Sequence, residues 1–122
     1  MSTLGDARAR LLTGLEAAQI RTATTAKLSA PAVLVEPGDP WTEHVTLSAG
    51  RRRVSRWQLT LVVGKADSEG AFAALAELAD RIDAALKVLD GVQLPAWSAP
   101  HDYTIDGVPY PSAVATITVA TA

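Results

Sequence analysis

The sequence predicts an α+β fold in which a mostly antiparallel or mixed sheet of four to five strands carries two helices on one face. Three observations lead there. In the stretch 56–63, Arg-Trp-Gln-Leu-Thr-Leu-Val-Val, the residues Trp57, Leu59, Leu61 and Val63 alternate with Arg56, Gln58, Thr60 and Val62, the period of a strand with one face on a core. From Glu69 to Leu89 the apolar residues instead recur every three or four positions, the period of a helix. The other apolar runs are short and bounded by Pro or Gly, as strands are when they start and stop sharply. A sheet with both helices on one face would bury all these stripes together.

The order of elements follows from the same signals. Residues 3–20 read as an amphipathic helix, with Thr3 and Asp6 placed to satisfy its first backbone N–H groups. Leu4, Ala7, Leu11, Leu15 and Ala18 fall on one side of it. Gly5 and Gly14 each lower its propensity by about 1 kcal/mol, so packing must hold it. Thr22–Ala30 reads as a frayed end and a loop. Pro31–Pro37 is a short strand between prolines, and 36–41, Glu-Pro-Gly-Asp-Pro-Trp, is a rigid turn that presents Trp41. Residues 43–49 suit a second short strand, and 50–55 a turn that brings three arginines into the main strand.

The helix over 69–89 carries Phe72, Leu75, Ala79, Ile82, Leu86 and Leu89 as its stripe, with Asp67 or Ser68 as cap and Gly91 at its C-terminal end. Residues 92–105 suggest an irregular strand with bends. Asp106-Gly107 is the strongest hairpin signal in the chain, and 112–120 is a closing strand with Ala113, Ala115, Ile117 and Val119 on one side.

Composition bounds what such a fold can do. The chain has 122 residues, 48% of them apolar and 20% charged, which suits a single domain over 1–122 with a substantial core. It has no cysteine, which excludes disulfides, thiol catalysis and thiolate metal sites and fits a reducing compartment. A formal charge of −2 speaks against a general nucleic-acid binder. No apolar run is long enough to cross a bilayer. The opening residues, with Asp6 ahead of the first Arg, do not read as a secretory signal, so a soluble protein made in the cytoplasm is expected.

No catalytic constellation is legible. His44 and His101 have no spacing that forces them to converge with carboxylates, and read as turn residues in solvent. Glu77, Asp80 and Asp83 share a broad helical side, but Arg81 and Lys87 lie among them and can pair at helical spacing. No Gly-x-Ser-x-Gly elbow and no glycine-rich phosphate loop occurs. No enzymatic activity, cofactor or metal is therefore expected. The candidate functional residues are interface residues: Trp41 and Trp97 on proline-flanked segments, and Arg51, Arg52, Arg53 and Arg56 as the one concentration of charge. The arginines suit an acidic partner surface or DNA phosphates, or keep a strand edge from aggregating. Trp41 and Trp97 suit an interface or the covering of the sheet end.

Three segments together resemble a known family. These are Pro31-Ala-Val-Leu-Val-Glu-Pro-Gly-Asp-Pro-Trp41, then Arg53-Val-Ser-Arg-Trp-Gln-Leu-Thr-Leu-Val-Val63 with the Ala/Leu-rich helix of Leu75, Leu78, Ile82 and Leu86, and Gly107-Val-Pro-Tyr-Pro-Ser-Ala-Val-Ala-Thr-Ile-Thr-Val119. Over most of its length the chain is similar to the tail terminator proteins of long-tailed (siphovirus-type) phages of actinobacteria. The resemblance implies a non-enzymatic virion protein of mixed α/β fold at the head-proximal end of the tail. It implies a homo-hexameric ring on the last ring of the tail tube, with the major tail tube protein and a head-completion or neck protein as partners. DNA would pass through the lumen without sequence-specific binding, and no membrane is involved. Ring contacts would involve the loop 36–55, and the side of the main strand bearing Arg56, Gln58, Thr60 and Val62 would line or join the assembly. A head-completion or neck protein, a tail tube subunit, a small cytoplasmic α+β ligand-binding domain or enzyme, and a nucleic-acid-binding module are the alternatives.

Overall fold

The structure, a computed structural model, describes residues 4–23, 31–47, 50–64, 68–89, 91–105 and 107–121. Its elements follow the order α1 (Leu4–Ala17), β1 (Thr22–Ala23), β2 (Ala32–Leu47), β3 (Gly50–Val62), α2 (Ser68–Lys87), β4 (His101–Ile105) and β5 (Val108–Thr121). The class is α+β, as predicted. Four antiparallel strands run β2-β3-β5-β4, and the two-residue β1 adds to the outside of β2 in parallel. The capping residues Thr3 and Asp67, the loop residues 24–30 and Asp106 of the expected hairpin lie outside the described residues.

Two differences from expectation concern the β2–β3 hairpin. The proline-rich segment does not end the strand. β2 continues through it, with a register shift between Pro37, paired with Trp57, and Thr42, paired with Ser55. Residues 38–41, including a cis Asp39–Pro40 peptide, thus bulge opposite the single residue Arg56. A bulge tolerates proline because its residues owe no hydrogen bond to the ladder. The shift also exchanges the faces: Val33 and Val35 share a side with Trp57, and after the bulge that side belongs to Thr42 and His44. The second difference is that 50–55 is strand rather than turn, paired residue by residue with 42–47.

The core lies on the face that the odd-numbered strand residues share. Val33, Val35, Trp57, Leu59, Leu61, Val63, Ile117 and Val119 pack there against Ala7, Leu11 and Leu15 of α1 and against Leu75, Leu78, Ile82, Ala85 and Leu86 of α2. The stripe of α1 is as predicted, except that the Leu4 side chain lies outside the described residues. That of α2 holds at Leu75, Ile82 and Leu86 and departs from expectation at its other positions. Ala71 and Ala85 point inward, whereas Phe72 is 63% exposed and Ala79 and Leu89 sit at the margin. Gly14 of α1 lies so close to Leu89 that an added Cβ would come within 3.0 Å of its Cδ1, so this glycine lets the helices approach.

The opposite face of the sheet is also partly buried. Ala32, Leu34, Thr60, Val62 and Ser112 occupy neighbouring register positions on three strands and are all buried within the chain. Thr60 and Val62 are therefore not available to line an assembly. Arg56 and Gln58 are half-buried there, and Thr116 is exposed.

α1 ends earlier than predicted, for a reason visible in its backbone. Gln19 adopts φ 60°, its N–H donates to Glu16 O at 2.9 Å, and the Ile20 N–H donates to Leu15 O at 2.9 Å. This is the Schellman arrangement, in which a left-handed residue stops the helix and an apolar residue beyond it folds back on the last turn. Leu15 and Ile20 are both buried. Arg81 of α2 completes the end by donating to the carbonyls of Ala18 (3.3 Å) and Gln19 (2.9 Å). It does not join the helical acid–base ladder expected for it.

At the centre of the sheet Trp57 is 1% exposed. Its indole Nε1–H donates to Ser55 Oγ at 2.9 Å, and that hydroxyl donates to Val119 O at 3.3 Å. Ser55 is fully buried, so a Ser55→Ala variant leaves the buried Trp57 indole N–H without its acceptor. We expect it to lose about 1–3 kcal/mol of stability, read as a lower urea midpoint at unchanged slope.

Candidate functional site

The residues singled out by sequence fall at two places, on opposite sides of the sheet order. The first is the bulge of β2. Trp41 is 43% exposed and meets the Trp57 ring edge-on, with centroids 5.9 Å apart and planes at 86°, a favourable aromatic geometry. One side of the Trp41 indole thus rests on the core and the other faces outward. The bulge folds closely over β3: a Cβ on Gly38 would lie 3.0 Å from Arg56 Cβ and 3.2 Å from its carbonyl carbon and oxygen. Arg56 itself forms an ion pair with Glu43 across the hairpin, while its Nε is buried without a hydrogen-bond partner. Such an exposed pair contributes under about 1 kcal/mol.

Arg51, Arg52 and Arg53 stand on the outer part of the same hairpin, opposite Thr46, Val45 and His44. Arg53 is half-buried and is also paired with Thr121 of β5. The side chains of Arg51 and Arg52 lie outside the described residues. Arg56 is drawn into its pair with Glu43.

The second place is the far side of the sheet, where the chain returns from α2. The segment 91–98 is not a strand, but it covers the upper edge of β5. Gly91, at φ 74°, accepts from Ala120 N–H at 2.8 Å, and Gln93 and Ser98 donate to Thr118 O and Val114 O at 2.9 and 2.7 Å. Trp97 of this segment is half-buried against the core and donates its Nε1–H to Asp83 Oδ1 at 3.1 Å. Its indole ties the segment to α2, which favours the sheet-covering role over a free interface anchor. Beside it the exposed Phe72 overlooks a hollow of about 380 Å³ between α2 and the β4–β5 hairpin, lined by Leu75, Pro100, His101, Asp102 and Pro111 among others. Sequence reasoning missed this hollow because it assigned Phe72 to the core.

A shallow apolar groove of about 730 Å³ lies between α1 and the end of α2, with Ala9, Thr13, Ala17 and Val88 along it and Asp6 and Arg10 at its rim. It brings together no nucleophile and base. The two histidines do not converge: His44 lies level with Arg53 of β3, and His101 level with Ser112 and hence Val62. That spacing is roughly 30 Å along the strand at about 3.3 Å per residue. Among the described residues no group of three His, Asp or Glu side chains is arranged to hold a metal ion, and no helix is long and apolar enough to cross a membrane. No protein-family model matches the sequence, and no curated protein matches it.

The fit of the bulge over β3 has a measurable consequence. Gly38→Ala pushes a methyl group into the Arg56 backbone and is expected to cost about 1–3 kcal/mol. Gly64→Ala, where an added Cβ meets nothing within 4 Å, is expected to stay within about 0.5 kcal/mol of the parent. Equilibrium urea unfolding of the pair checks both.

Proposed function

We propose that this chain is a structural virion protein, a tail terminator that caps the tail tube as a ring, ends its polymerisation and offers the surface that joins the head. The observation that carries the reading is the element order. One helix, a long β2–β3 hairpin, a second helix and a closing β4–β5 hairpin follow one another, with both helices on one face of the sheet. That order agrees with the fold implied by the three segments that resemble tail terminators. The exposed Trp41 of the hairpin supports a role in assembly. A ring requires each subunit to offer two different surfaces, one to each neighbour, and the bulge of β2 and the hollow beside Phe72 differ in that way.

In this reading the protein catalyses no reaction and needs no cofactor. It associates with itself as a hexamer, with the major tail tube protein below and a head-completion or neck protein above. Its position is the head-proximal end of the tail, with DNA passing through the lumen.

Polymerising tube protein in the presence of this chain is expected to give capped tubes of limited length under the electron microscope, with label on one end only. In virions the same label is expected at the head-proximal end of the tail. Label along the tube would make the chain a tube subunit, and label on the head side of the joint a neck protein. Tubes that grow unchanged, together with normal tail lengths in phage lacking the chain, would overturn the proposal.

A further inference from the structure

We infer that a second copy of this chain seats its Trp41 in the hollow beside Phe72. The inference rests on the ring reading and supplies the contact that would build it.

Three features bring the two surfaces together. The sheet order puts β2 and β4 on opposite sides. β1 covers β2 only at Val33 and Leu34, so among the described residues the rest of the β2 edge has no strand beside it, and neither has the outer edge of β4. Trp41 stands at the first edge and the hollow opens at the second. Both also lie on the helix-bearing side of the sheet: Trp41 rests on Trp57, a core residue of that side, and the hollow is walled by α2. The two edges can therefore be set side by side with the helix-bearing sides together. Sliding one copy along the strands by the six residues from the level of Arg56 to that of Val62, roughly 20 Å, and rotating it a little at each step, carries Trp41 toward Phe72 without turning the molecule over.

The surfaces also match in kind. A half-exposed indole braced from behind is a preorganised knob, and burying its outer half in an apolar hollow is the usual form of a binding hot spot. Phe72, Leu75, Pro100 and Pro111 offer it an apolar wall. The polar rims are complementary. Asp39 and His44, both exposed, flank Trp41 in the chain, and His101 and Asp102, both exposed, border the hollow. Each carboxylate can face an imidazole across the contact. Because knob and hollow are different surfaces, every added copy leaves one of each free, and the series ends only when it closes on itself.

The test uses a photoreactive aromatic residue, p-benzoylphenylalanine, in place of Trp41 in the full purified chain. Isotope-labelled and unlabelled copies are mixed so that crosslinks between copies are distinguished by mass. Crosslinks between copies are expected to concentrate on 72 and 100–102, and to exceed those of the same probe at the exposed position 88. Phe72→Asp, on an exposed side chain, and Trp41→Ala are each expected to weaken self-association by about tenfold or more with the fold intact by circular dichroism. Their equimolar mixture is expected to restore pairs but no larger species, since one intact knob meets one intact hollow. Crosslinks at 41 that match position 88, or Phe72→Asp self-association equal to the parent, would overturn the inference. Tube capping is read separately: capping that survives without these crosslinks sinks the contact alone, and crosslinks without capping sink the terminator role alone.

Discussion

The hydrogen bond from the Trp57 indole to Ser55 is the constraint on which the centre of the molecule depends. Trp57 is the largest fully buried side chain, on the strand between β2 and β5. Its burial contributes more than that of any neighbouring aliphatic residue, but only if its one N–H is satisfied. Ser55, two residues earlier and on the same face, accepts it, and its own hydroxyl donates a hydrogen bond to the β5 carbonyl of Val119. The pair thereby fixes the register of β3 against β5, and that register sets which residues face the helices. Slipping it by one residue would turn Leu59, Leu61 and Ile117 away from α1 and α2.

The bulge of β2 is the second determinant, because it changes what the hairpin presents. Before it, β2 sends Val33 and Val35 into the core. Beyond it, the same side carries Thr42 and His44. A hydrophobic strand is thus converted into a polar arm that pairs with the same strand β3 across a register shift, and Trp41 is set at the point of conversion. Gly38 permits this by lying against the Arg56 backbone. Arm and body both pair with β3 on either side of the bulge, and the ring contact with Trp57 ties Trp41 to the core.

Much of this was legible in the sequence, and the misses have physical causes. The alternation at 57–63 identified the core face because each inward residue is large and apolar. The element order followed from the change of period at Gly64 and the glycine at 107 between β4 and β5. Part of the α2 stripe was misread because its inward positions Ala71 and Ala85 are small, so the larger Phe72 took their place in the count. Pro37 and Pro40 were read as breaks, yet Pro37 keeps its place opposite Trp57 and Pro40 lies in a bulge that asks no ladder hydrogen bond of it. The Schellman end of α1 went unseen because Gln19, not glycine or asparagine, holds the left-handed position. Of the candidate residues, Trp41 is exposed as expected. The indole N–H of Trp97, by contrast, goes to Asp83, a partner that only the fold brings near.

The irregular path of 91–100 along β5 also bears on how the sheet can fail. It fills the upper part of that edge with a segment that contributes backbone groups only at intervals, and leaves the five-residue β4 as the outer strand on this side. The strand at the other side, β2, is 16 residues long and interrupted by its own bulge. A long, flat edge would template indefinite stacking of identical strands, but a five-residue edge cannot register with a kinked 16-residue one along its length. Fibrillar growth is thus discouraged by a mismatch of lengths built into the topology, leaving discrete contacts as the way this sheet meets another.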